Sequence, residues 1–164
     1  MTQIDGNRGS SALTTLVVTA EVQQGFDSAL DGMIRQGATA VAIVERSGMT
    51  LASAGMGRTS NQAVGALIGG IFKSLKTLSG LLGENAIRIL HQKGPHSLTV
   101  MLLLDTDDLL VATFPPEVGD PRSDALALEA GSRIATLLAQ ARQNPAPQGA
   151  LLDGAGVDDL LGNF

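Results

Sequence analysis

The chain contains no cysteine, no tryptophan and no tyrosine. The first absence excludes disulfides, thiol nucleophiles and thiolate metal sites. The other two, with only four phenylalanines, leave almost no aromatic surface on which nucleobases could stack. A net charge of -5 argues further against a general affinity for nucleic acid. The longest unbroken apolar-or-glycine run, Ala63 to Phe72, falls well short of the roughly 20 residues that a membrane span requires. A secretory signal core over Ala12 to Ala20 is a poor fit. Thr14, Thr15 and Thr19 dilute it, Asp5 precedes it and Glu21 follows at once. A cytoplasmic location is the expectation.

One absence is local. Between Glu45 and Glu84 there is no acidic residue, whereas Arg46, Arg58, Lys73 and Lys76 are basic. Inside this stretch Val64, Leu67, Ile68, Ile71, Leu75, Leu78 and Leu82 recur at steps of three and four. That spacing predicts a helix with one apolar face. Thr59, Ser60 and Asn61 can cap its first turn, and Gly83 can stop it in a left-handed conformation. Gly65, Gly69 and Gly70 lie within it, each at a cost of about 1 kcal/mol against alanine. Close approach of another backbone is the physical reason to tolerate them. The segment therefore reads as a packing and docking helix rather than a catalytic one.

The rest of a 164-residue chain with 44% apolar and 16% charged residues fits one compact domain. Residues 1–15 form a Gly/Ser/Asn-rich lead, and residues 16–142 carry the fold. Leu13 to Ala20 can be a short strand or an extended entry, followed by a helix over Glu21 to Gln36 that Gly37 closes. Thr39 to Val44 and Met49 to Ala54 flank a Ser-Gly turn, which is a hairpin signal. Asn85 to Gln92, Ser97 to Leu104 and Leu109 to Phe114 read as three further strands. Gly119-Asp120-Pro121 reads as a loop, after which Ser123 caps a helix running to about Arg142. The expected class is α+β, with an antiparallel five-stranded sheet between helical layers. Residues 143–164 are a linker, NPAPQG, and an amphipathic tail with three aspartates and no base. Such a tail needs a surface on which to order.

Candidate chemistry is sparse. Gly65 to Ser74 imitates a phosphate-binding loop, but Ile71 and Phe72 separate Gly70 from Lys73, and the segment is helical. Asp105, Asp107 and Asp108 lack the further oxygens and closing Glu of a calcium loop and read as a solvated turn. His91 and His96 flank a turn with no acid at ligand spacing. No serine has a nucleophile-elbow context. No metal, cofactor or active site is expected.

The element order and the residues at its joints resemble the roadblock (dynein light chain) family, and within it the bacterial MglB-like branch. The resemblance covers Leu16 to about Arg142. It rests on Gly37-Ala38 before a strand ending in Glu45-Arg46-Ser47-Gly48-Met49, and on the small-residue central helix. Gly83-Glu84 and Leu102-Leu103-Leu104-Asp105 add to it, as do the lead-in TLVVTAEVQQGFDSAL and the ending ALLDGAGVDDLLG. The resemblance implies a homodimer whose sheet continues across the two-fold, with central helices side by side. It also implies binding of a Ras-like small GTPase of the MglA kind and stimulation of GTP hydrolysis without an arginine finger, in a setting of cell polarity or motility. The family's tail is implicated in nucleotide exchange or in strengthening the complex.

On that resemblance Arg58, Asn61, Gln62, Lys73 and Lys76 are the candidate GTPase contacts. Gly65, Ala66, Gly69 and Gly70 are the candidate helix–helix contacts. Leu151, Leu152, Asp158, Asp159, Leu160 and Leu161 are candidate partner contacts in the tail. A non-catalytic roadblock scaffold or adaptor, which localises a partner without changing its chemistry, is the alternative reading.

Overall fold

A computed structural model describes residues 16–57, 61–84 and 87–143. The elements are α1 (Ala20–Arg35), β1 (Ala40–Val44), β2 (Thr50–Ala54), α2 (Asn61–Leu82), β3 (Ile89–Lys93), β4 (Leu98–Leu103), β5 (Leu109–Phe114) and α3 (Asp120–Gln143). A 3₁₀ turn, Pro116–Val118, precedes α3. The strands form one antiparallel sheet in the order β2-β1-β5-β4-β3, so β2 and β3 are its edges. The α+β expectation and its five strands are what the structure contains.

Local chemistry accounts for most boundaries. The Thr19 hydroxyl accepts the Val22 N–H at 3.3 Å and caps α1. The segment before it is extended rather than a strand, tied to α3 by the Val17 N–H donating to the Ala141 carbonyl. At the end of α2, Gly83 has φ 70, and the Glu84 N–H returns to the Ser79 carbonyl. This is the left-handed stop that its position predicts. The start of α3 differs from expectation. Its first residue is Asp120, with Pro121 in the first turn, where proline's missing N–H costs nothing. Ser123 lies inside the helix, fully buried, its hydroxyl donating to the Asp120 carbonyl.

Strand alternation sorts the core into two unequal parts. Val41, Ile43, Val100, Leu102, Leu110 and Phe114 face α1 and α3, meeting Phe26, Leu30, Met33, Ile134 and Leu138. On the opposite face Ala42, Val44, Met101, Leu109 and Val111 meet only two large buried side chains of α2, Ile68 and Phe72. Three layers result, with α2 the one helix on its side among the described residues. It crosses from β2, where Asn61 Nδ2 donates to Ser53 Oγ at 2.8 Å, to a turn that leads into β3.

Candidate functional site

The face that α2 turns inward is not the one its apolar spacing predicts. Its buried positions are Gly65, Ile68, Gly69, Phe72 and Ser79. Leu67 is 70% exposed, Leu81 80%, Leu82 68%, Leu78 48% and Ile71 42%. The correction has a physical reason. Two glycines let the helix backbone settle against the β1–β2 turn, and that contact, not the leucine stripe, sets its rotation. A Cβ at Gly65 would stand 2.5 Å from Thr50 Oγ1 and 2.7 Å from the Gly48 carbonyl. One at Gly69 would stand 3.1 Å from the Gly48 Cα. Gly48 has φ 95, so the turn and the helix meet glycine on glycine.

Gly65 and Gly69 therefore pack within their own chain, and the assignment of their small size to a second helix is corrected. Gly70 and Ala66 differ. Both are exposed, and no atom of the described residues lies within 4 Å of a Cβ built on Gly70.

Each flank of α2 leaves a groove over the sheet. On one flank Val64, Leu67, Ile68 and Ile71 face Ala40, Gln92, Thr99, Met101, Val111 and Thr113 across about 300 Å³ of open space. These sheet residues come from four strands at one end of the sheet. Met101 and Val111 are buried under α2, whereas Ala40, Gln92, Thr99 and Thr113 keep exposed surface among the described residues. The groove is apolar and reaches β3, whose outer edge pairs with no strand among the described residues. The exposed positions Leu67, Ile71, Ser74, Leu78 and Leu81 follow steps of four and three, the seam that another helix can match.

The other flank is basic. Lys73, Lys76 and Arg46 border a groove of about 270 Å³ whose floor is Phe72, Leu75, Ile87, Leu103 and Leu109. Lys76 Nζ lies 3.9 Å from Asp107, both side chains largely solvated. Such a pair contributes little on its own. Lys73 makes no ion pair among the described residues. The candidate docking residues thus do not form one patch. Asn61 is engaged with Ser53, and its carbonyl accepts the Thr50 hydroxyl at 2.7 Å. Gln62 Oε1 accepts the Thr50 N–H at 3.4 Å from the first turn of α2. Lys73 and Lys76 stand further along the helix, on the basic flank. Arg58 and all the tail candidates, Leu151, Leu152, Asp158, Asp159, Leu160 and Leu161, lie outside the described residues.

Behind this groove lies a cluster that the sequence hides. Asp108, expected in a solvated turn, is fully buried. Its carboxylate takes two hydrogen bonds from the Arg142 guanidinium, at 2.6 and 2.7 Å, and one from the Arg46 N–H at 3.1 Å. Glu45 lies 3.7 Å from Arg142. The bonds from Arg142 to Asp108 raise the arginine further above its already high range, against the opposing effect of burial. Arg142 is 34 positions from Asp108, and no local pattern signals that pairing. The neighbouring acids diverge instead of converging on a cation site, Asp105 toward Arg88 at 3.6 Å and Asp107 toward Lys76.

On the opposite face of the sheet, His91 Nε2 meets Asp124 Oδ1 at 2.6 Å and Lys93 Nζ meets Asp120 at 2.7 Å, tying β3 to α3. The Lys93 hydrogen bond lowers the Asp120 carboxyl below its ordinary value of 3.8. His96 is exposed. No described helix is long and apolar enough to cross a membrane.

The architecture is that of several solved proteins. Myxococcus xanthus MglB matches with a TM-score of 0.71 at 16% identity, over 80% of this chain and 100% of its own. An MglB with a tetrameric arrangement matches at 0.71 and 17% identity, over 77% and 97% of the two chains. A roadblock domain from Streptomyces avermitilis matches at 0.55 and 17% identity, over 71% and 93%. The superpositions establish a common fold. No family model matches the chain, and no curated protein matches it in sequence.

Proposed function

We propose that this chain is an MglB-like member of the roadblock family, a homodimer that binds a Ras-like small GTPase of the MglA kind and stimulates its GTP hydrolysis. The observation that carries the reading is the exposed apolar flank of α2, beside partly exposed sheet residues and the edge of β3, which pairs with no other strand among the described residues. A second copy related by a two-fold supplies what each of these lacks: a helix for the seam, cover for the sheet and a strand for the edge. Self-association of a protein with the same fold, the MglB with a tetrameric arrangement, supports this.

Pairing of the apolar flanks leaves the solvent side of both α2 helices as one surface. Gln62, Lys73 and Lys76 are the residues we assign to GTPase contact, with Arg58 beside them in sequence. Gly70 and Ala66 are the small residues we assign to the helix–helix approach. A single asymmetric partner straddles the two-fold axis, so the two copies contact it differently. No side chain of this protein is required in the GTPase's active site. The acceleration comes from selecting a hydrolysis-competent conformation of the partner, and is bounded by the difference in affinity for its two states.

Single-turnover hydrolysis by the cognate GTPase, with and without the protein, tests the reading. A faster rate at saturating protein is the expected result. An unchanged rate despite firm binding would leave a scaffold that positions its partner without altering its chemistry.

A further inference from the structure

We infer that the basic groove between α2 and the β4–β5 end of the sheet is the docking site for the acidic C-terminal segment of the same chain, residues 151–161. Three observations lead there. The first is where the described chain ends. α3 stops at Gln143, and its Arg142 is bonded to Asp108. Asp108 in turn accepts the N–H of Arg46, and Arg46 and Asp107 line the groove. The chain therefore leaves the fold at the groove's own end of the sheet. Residues 144–150 then span up to about 23 Å when extended, enough to round the sheet's end onto the α2 side.

The second observation is charge. Arg46, Lys73 and Lys76 border the groove. Arg46 lies 3.8 Å from Glu45 and Lys76 3.9 Å from Asp107, the one carboxylate in the lining, and Lys73 makes no ion pair among the described residues. The segment brings Asp153, Asp158 and Asp159 and no base. The third is the floor, built from Phe72, Leu75, Ile87, Leu103 and Leu109. Leu151, Leu152, Val157, Leu160 and Leu161 offer matching apolar groups between the acids. An amphipathic segment with acids flanking leucines is the partner that such a groove selects. The second copy is assigned to the opposite flank of α2 and does not compete for this one.

The absence of cysteine makes the test clean. Gly80→Cys, one turn beyond Lys76 on the same flank, is combined with Gly162→Cys in the full-length chain. Disulfide closure requires the Cα atoms to come within about 7 Å. Its rate is followed by non-reducing electrophoresis without any GTPase present. The expected result is a cross-link within single chains. It slows when Lys73→Glu and Lys76→Glu are added and recovers when Asp158→Lys and Asp159→Lys are added to those. A tethered segment collides with its own domain in any case, so a rate indifferent to both charge reversals overturns the proposal. A cross-link found only between chains also overturns it, placing the segment on the second copy.

Discussion

At the scale of single residues, the buried Asp108 stands out because it breaks the pattern of its neighbours. A carboxylate is fully buried only when it is paired and its oxygens are bonded, as Arg142 and the Arg46 N–H provide here. The pair ties the end of α3 to the β4–β5 turn and, through Arg46, to the β1–β2 turn. Removing Asp108 takes both short hydrogen bonds from the largely buried Arg142 guanidinium and leaves it the longer contact to Glu45 at 3.7 Å. Asp108→Ala should therefore lower the unfolding free energy by about 3–5 kcal/mol in denaturant titration. The double variant with Arg142→Ala should cost clearly less than the sum of the two single changes, because it removes both charges together. Strict additivity would show that the two residues act independently.

At the scale of elements, α2 holds the main lesson about legibility. Its existence and its glycine stop were readable in the sequence, because helical spacing and local stops depend on neighbours along the chain. Its rotation was not. Gly65 and Gly69 were readable as places of close approach, but the backbone that approaches is the turn at Gly48, on the chain's own hairpin. Tolerance of the three α2 glycines to alanine should therefore fall in a set order. Measured by denaturation in an unassociated variant, Gly65→Ala should lose about 1–3 kcal/mol through overpacking against Thr50 and Gly48. Gly69→Ala should fall between the other two. Gly70→Ala should gain about 1 kcal/mol from helix propensity, since its surroundings are open. Equal effects at all three positions would contradict the packing described.

At the scale of the whole molecule, the exposed apolar flank is a surface that solitary chains rarely keep in water. Burying one leucine contributes about 1.5–3 kcal/mol. Leu67→Glu together with Leu78→Glu should therefore weaken self-association by about a hundredfold or more. Sedimentation velocity should then find single chains at micromolar concentration, with the helical circular dichroism retained. If the protein acts as proposed above, GTPase stimulation should disappear with self-association. Stimulation persisting in single chains would mean that one copy suffices.

The sequence by itself determined the element order, the antiparallel class and the lack of thiol or base-stacking chemistry, because these follow from composition, periodicity and turn residues. It also marked the central helix and the glycines in it at which another backbone approaches. Only the tertiary structure decided which side of that helix packs on the sheet, that two of its glycines are already occupied, and that an aspartate from an apparent surface turn lies in the interior beneath an arginine from the last helix. Spacing along a chain reports which side chains share a face. What covers that face depends on segments far away in sequence, and is decided only when the layers pack.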